Sequence, residues 1–176
     1  MKRPNPVVWL GALTLVALPP AAHERRVQIS GTITTTLTIF EDAELAGDVM
    51  CEVEGAPCVA FGAPDITLRL QGFTMRGRAE PPNRCVSIAD FFTKVEDGIS
   101  MVGQSGVAVL GPGRVENFAR YGIFAMSSST VTIRRVTAAD NCFSGIQVWT
   151  VSDSEVTENV SARNAMGSQA FPCGGI

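Results

Sequence analysis

The sequence predicts an all-β solenoid, on three observations. Gly98-Ile99, Gly122-Ile123 and Gly145-Ile146 recur at near-equal spacing, and each pair opens a short alternating strand. A second strand keeps the same spacing, Val107-Ala108-Val109 and then Val131-Thr132-Ile133. No segment carries a sustained helical period of apolar residues. A repeat of roughly two dozen residues describes a stack in which each turn of chain buries its apolar side only against its neighbours.

The elements follow in chain order. Lys2 and Arg3 precede the apolar run Val7 to Leu18, which ends at Pro19-Pro20-Ala21-Ala22. This pattern reads as an export leader over residues 1–22, and twelve apolar residues are too few to span a bilayer as an anchor. The mature chain is therefore expected outside the cytoplasm, secreted or periplasmic, with no membrane segment after cleavage. Residues 23–60 are read as an amino-terminal cap with the first strands, Val27 to Ile39 alternating well enough to be β and Glu41-Asp42-Ala43-Glu44 forming a solvated turn. Residues 61–176 carry the repeats. Two stretches break them, Arg76 to Asn83 with two prolines and Phe91 to Asp97, and both are expected to loop out of the wall. Arg76, Arg78 and Arg84 gather around the first, as part of a cleft or as a solvated basic loop.

Within the repeats, period-2 alternation assigns inward residues. They are Ile99/Met101, Ile123/Ala125 and Ile146/Val148 on the glycine strand. On the third strand they are Val115, then Val136 with Ala138, then Val160 with Ala162. Asn141 and Asn164, one repeat apart, fall at the same turn of successive coils and suit a hydrogen-bonded ladder. Three strands per coil, over roughly five to six rungs, describe a parallel β-helix. The sequence stops at Phe171-Pro172-Cys173-Gly174-Gly175-Ile176, midway through a further coil, so the last rung is expected to be incomplete and to self-associate through its open edge.

The run Asp65-Ile66-Thr67-Leu68-Arg69-Leu70-Gln71-Gly72-Phe73-Thr74-Met75-Arg76-Gly77 resembles the opening rung of the right-handed parallel β-helix proteins of the pectin-lyase-like superfamily. Tyr121-Gly122-Ile123 followed by Ser128-Ser129-Thr130-Val131-Thr132-Ile133 is similar to a later rung of the same family. The resemblance runs from about Gly31 to the last residue. It implies the right-handed winding. It says little about activity, because the family holds lyases, epimerases, hydrolases and proteins without an assigned reaction.

Composition narrows the function. The chain has 176 residues, with 14 basic and 17 acidic side chains and a net charge of −3. Two of the basic residues lie in the leader, which leaves the mature chain near −5 and without the basic stripe that a nucleic-acid partner needs. In an oxidising compartment the five cysteines can pair. Cys51 and Cys58 bracket a short turn-rich loop and are read as a disulfide, the alternative being two buried thiols. Cys85, Cys142 and Cys173 are left unassigned, and the absence of a CxxC or Cys/His cluster argues against zinc.

Catalytic groups are sparse. The sole histidine, His23, stands beside the leader, so no Ser-His-Asp triad fits within the coils. Alginate-type epimerases of the superfamily carry Asp-Pro-His after a Tyr-Gly-Phe start, whereas this chain has Tyr121-Gly122-Ile123-Phe124-Ala125-Met126. A pectate-lyase-like site asks for calcium held by carboxylates with an arginine as base, and Glu116, Asp140 and Arg134 or Arg135 come nearest to that set. With Ile123 and Ile146 inward, Phe124 and Met126 of one coil lie beside Gln147 and Trp149 of the next on the outer wall. Phe124, Gln147 and Trp149 then form a candidate sugar-stacking surface or pack beneath a loop. Two readings follow: a secreted, non-catalytic β-helix that touches polysaccharide and needs no cofactor, and a polysaccharide lyase that uses calcium.

Overall fold

A computed structural model describes residues 26–165, which form fifteen strands and no helix. Residues 1–22, read above as a leader, His23, and Cys173 with the end of the last coil expected to self-associate lie outside the described residues. In chain order the strands are β1 (Val27–Ile33), β2 (Leu37–Ile39), β3 (Ala43–Cys51), β4 (Val59–Phe61), β5 (Thr67–Arg69), β6 (Thr74–Arg76), β7 (Ile99–Val102), β8 (Ala108–Leu110), β9 (Arg114–Glu116), β10 (Ile123–Met126), β11 (Thr132–Arg134), β12 (Thr137–Ala139), β13 (Ile146–Trp149), β14 (Glu155–Thr157) and β15 (Val160–Ala162).

Every pairing between these strands is parallel, and the strands stack in three columns. The first column runs β2-β4-β7-β10-β13. The long strand β3 serves both others, starting β3-β5-β8-β11-β14 with its first half and β3-β6-β9-β12-β15 with its second, while β1 pairs with β3 from outside. The chain visits the columns in the order one, two, three, and then returns. The result is an all-β, solenoid-like fold.

Stacking puts like residues over like. Leu37, Val59, Ile99, Ile123 and Ile146 stand in one file along the first column. Ala43, Leu68, Val109, Ile133 and Val156 form the second file. Val49, Met75, Val115, Ala138 and Ser161 form the third. Apart from residues at the ends of the files, these side chains are fully buried and form one continuous core. The three glycines before the isoleucines have a steric cause. A Cβ on Gly98 would lie 2.5 Å from the carbonyl oxygen of Gly122, and one on Gly122 would lie 2.6 Å from that of Gly145. Successive turns of chain approach too closely there for any side chain.

The corners repeat with the coil. Asn117, Asp140 and Arg163 stand at equivalent places in successive coils and all have positive φ, as do Thr130 with Asp153 and Arg135 with Glu158. One side-chain ladder runs beside them. The Oδ1 of Asn164 accepts from the backbone N–H and the Nδ2 of Asn141, and the Oδ1 of Asn141 accepts from the N–H of Phe118.

Two sequence expectations are corrected. Ala43 and Glu44 do not form a turn: Ala43 is fully buried and opens β3, because its place beneath Leu68 in the second column demands a strand. On β15, Val160 and Ala162, both expected inward, take the outward places, and Ser161 takes the inward place under Ala138. The coil spacing aligns Asn159 with Val136, and the Asn159 carboxamide accepts from the Val136 N–H and donates to the Ile133 carbonyl. Polar pairing substitutes there for apolar packing.

Candidate functional site

The outer wall of the first column holds the residues proposed for ligand contact. Register places Ser100, Phe124 and Gln147 in one outward row and Val102, Met126 and Trp149 in the next. Of the two alternatives for Phe124, packing beneath a loop is the one observed, since Phe124 is only 5% exposed, and the sugar-stacking alternative is corrected for this residue. The excursion between β6 and β7 folds back over it. Phe91 from that excursion joins Tyr121, Phe124 and Phe143 in a second apolar cluster. Tyr121 stacks on Phe124 at 5.1 Å between ring centroids, and Phe91 meets Tyr121 and Phe143 edge-on. A disulfide, Cys85–Cys142, ties the excursion to the turn beneath.

Trp149 stays outside, 53% exposed, with Val102 also exposed and Met126 half-buried in the same row. Gln147 is half-buried, and its Oε1 accepts from the Ser144 hydroxyl at 3.1 Å. Only the lower part of the expected surface therefore reaches solvent, a strip made by Gln147, Trp149 and their apolar neighbours.

An ion pair absent from the sequence reading lies under the excursion. Asp97 and Arg120 are both buried, and the guanidinium donates from Nε and Nη2 to the two carboxylate oxygens at 2.7 and 2.6 Å. Nη1 donates to the Phe91 carbonyl, and the group sits 4.9 to 5.5 Å from the ring centroids of Phe124, Tyr121 and Phe91. Burial pushes the Asp97 carboxyl above its ordinary value, against the opposing pull of Arg120 and of the Tyr121 N–H. Asp97 and Arg120 are one repeat apart along the chain, so the coil spacing itself was a signal for the pair.

Of the arginines of the first protrusion, Arg78 and Arg84 line one groove and Arg76 lines another. Arg78 pairs with Glu54 at 2.6 Å and reaches Glu96 at 3.8 Å, Arg84 lies 3.8 Å from Glu80, and Arg76 turns to Glu116. Arg78, Glu54 and Glu96 line a groove of about 560 Å³ between the Cys51–Cys58 loop and the excursion. Cys51 and Cys58 are bonded to each other, and the two disulfides together are compatible with an extracellular or otherwise oxidising compartment.

Glu116 and Asp140 share a second groove, of about 580 Å³, on the outer side of the third column. Arg134 points elsewhere, 3.9 Å from Glu158, and neither it nor Arg135 lines this groove, so the expected set of Glu116, Asp140 and Arg134 or Arg135 does not assemble. Glu116 instead accepts from Arg76 on one oxygen, at 3.0 and 2.5 Å, and from Arg114 on the other, at 2.9 and 2.7 Å. Asp140 accepts from Arg163 at 2.7 and 2.6 Å, which holds its carboxyl below the usual aspartate value. Among the described residues, no three His, Cys, Asp or Glu side chains cluster as metal ligands. Comparison with family models, with curated proteins and with solved structures returns no match.

Proposed function

We propose that this chain is a secreted right-handed parallel β-helix of the pectin-lyase-like kind that binds polysaccharide without catalysis, using the outer wall of its first column. Under this reading each rung contributes one strand to each column. The observation that carries the reading is Trp149, a half-exposed indole on a rigid parallel sheet, next to the carboxamide of Gln147. A flat ring fixed in place loses little entropy when a sugar face stacks on it, and the neighbouring amide supplies donors and acceptors for hydroxyl groups. Val102 and Met126 extend the apolar strip across adjacent strands about 4.8 Å apart. The lyase reading has less support, because Glu116 and Asp140 each give both oxygens to guanidinium groups.

The test is retention of the mature protein on immobilised neutral polysaccharides, compared with Trp149→Ala. Binding is expected to fall by about tenfold, in keeping with a stacking contact of about 1–1.5 kcal/mol. Trp9 lies in the leader, so the indole fluorescence of the mature chain reports Trp149 alone and gives a second readout. Unchanged retention of the variant on every glycan that holds the wild type removes this surface from the proposal.

A further inference from the structure

We propose that the amino-terminal edge of the stack docks a second copy of this chain, with β1 of each copy paired antiparallel about a two-fold axis at Ser30. This edge is at the other end of the stack from β13, and the proposal does not rest on the stacking surface around Trp149.

β1 is seven residues long and pairs on one side, with both halves of β3. Among the described residues, no strand meets its other side. Val27 donates its N–H to the Asp42 carbonyl, and the Ile33 carbonyl accepts from the N–H of Glu52. Successive residues of a strand turn their backbone groups to opposite edges, so Val27, Ile29, Gly31 and Ile33 serve β3 while Gln28, Ser30 and Thr32 aim N–H and C=O away from it. The irregularity in this pairing falls on β3, where Ala46 to Asp48 lie opposite Ser30 alone, and the alternation along β1 is kept. Gln28, Ser30 and Thr32 are all exposed. Open edges recruit other strands unless charge, proline or shortness protects them. Residues 27–33 hold no charged side chain and no proline. At the far end of the described stack the edge strands β13, β14 and β15 have three or four residues each, and Asp153, Glu155 and Glu158 stand exposed around β14. Two such acidic ends repel each other, so the uncharged end is the one suited to meeting its own copy.

Register makes β1 self-complementary. A two-fold axis at Ser30 sets Gln28 against the partner's Thr32, Ser30 against the partner's Ser30, and Thr32 against the partner's Gln28. In each pair both residues have free backbone groups, so each pair exchanges two hydrogen bonds. A shift by one residue would set free groups against groups already used by β3. Gly31, with φ 82°, bends the strand beside the axis, so both copies turn the corner together. The inward side chains also match, since Val27 meets the partner's Ile33 and the exposed remainder of both half-buried residues is covered. No charge crosses the seam, and repulsion between chains of net charge −3 acts at a range that salt screens. The contact is narrow, well under about 1,200 Å² in total, which makes a weak dimer. A two-fold contact closes on itself, so assembly stops at two copies.

The experiment is sedimentation of the mature protein from about 10 μM to about 1 mM, where a monomer–dimer equilibrium without larger species is expected. Ser30→Lys sets two ammonium groups face to face at the axis and is expected to weaken the dimer at least about fivefold at low salt. Ser30→Glu alone does the same, and mixing the two variants restores association because opposite charges then meet. Trp149→Ala leaves dimerisation unchanged, so failure of this proposal and failure of the sugar-stacking surface are distinguishable. Amide hydrogen exchange on the wild type needs no variant: the Gln28, Ser30 and Thr32 amides are expected to exchange freely in the dilute monomer and to slow at high concentration. A monomer at every concentration, assembly beyond the dimer, an unchanged Ser30→Lys variant, no restoration on mixing, or edge amides protected at every dilution would each overturn the proposal.

Discussion

Replacing Asp97 by Asn tests how far the fold depends on the buried pair beneath the excursion. Asparagine keeps the shape and one acceptor, so Nε of Arg120 can still donate, but the guanidinium loses its counter-charge while remaining enclosed by Phe91, Tyr121 and Phe124. Breaking a buried pair from one side costs about 3–5 kcal/mol, and the retained hydrogen bond places this case near about 3 kcal/mol. The three ring contacts exist before and after the change and do not alter the difference. For a domain of about 5–15 kcal/mol total stability, this shift is large in a urea titration. Adding Arg120→Met to Asp97→Asn removes the stranded charge and keeps an apolar side chain against the rings, so about 1–2 kcal/mol is expected to return. Arg120→Met alone behaves differently with pH. It removes a group that lowers the Asp97 pKa, so the value already raised by burial rises further above 3.8. A carboxyl with a raised folded value binds its proton more readily in the folded state, so stability falls as pH rises from the unfolded value toward the folded one. Urea unfolding at pH 5 and pH 8 should therefore show Arg120→Met weaker at pH 8, with Asp97→Asn lacking that extra loss. Additive costs in the double variant, together with no pH effect for Arg120→Met, would refute the account of a coupled buried pair.

The remaining predictions concern how the stack is held. Gly122→Ala places a methyl 2.6 Å from the Gly145 carbonyl and 2.8 Å from Nδ2 of Asn141, so a loss of about 3 kcal/mol is expected in the urea midpoint, and a change under about 0.5 kcal/mol would contradict the close approach. Removing the Cys85–Cys142 bridge, which spans 57 residues, is expected to cost about 4 kcal/mol by loop entropy, against about 2 kcal/mol for the seven-residue Cys51–Cys58 bridge. Paired Cys→Ser variants in denaturant decide the order, and a larger loss from the short loop would reverse the argument.

The columns were legible because the interval that brings Ile99, Ile123 and Ile146 into one file is a property of sequence spacing alone. The same interval pairs Asn141 with Asn164, Asp97 with Arg120 and Asp140 with Arg163. Opposite charges one coil apart could thus have been found by the arithmetic that found the strands. Val160 was misplaced because its apolar character outweighed the count from Thr137, to which it is registered. Packing of Phe124 beneath a loop was one of two readings of the sequence, but the segment that covers it was hidden for another reason. The cover depends on where the excursion lands, and Phe91 belongs to no repeat that could have announced its contact with Tyr121. Arg76 and Glu116 are 40 residues apart for the same reason, with the excursion lying between two strands that touch.

The corners with positive φ, returning once in each coil, carry a consequence for how such a wall can change length. One extra residue inside a turn would reverse every inward and outward side chain up to the next bend, so growth by small insertions is blocked along most of the rod. Between β6 and β7 the chain has already left the register and rejoined it, with the Cys85–Cys142 bond anchoring the detour. New sequence grafted there would alter what covers Tyr121 and Phe124 while leaving the files of the core undisturbed.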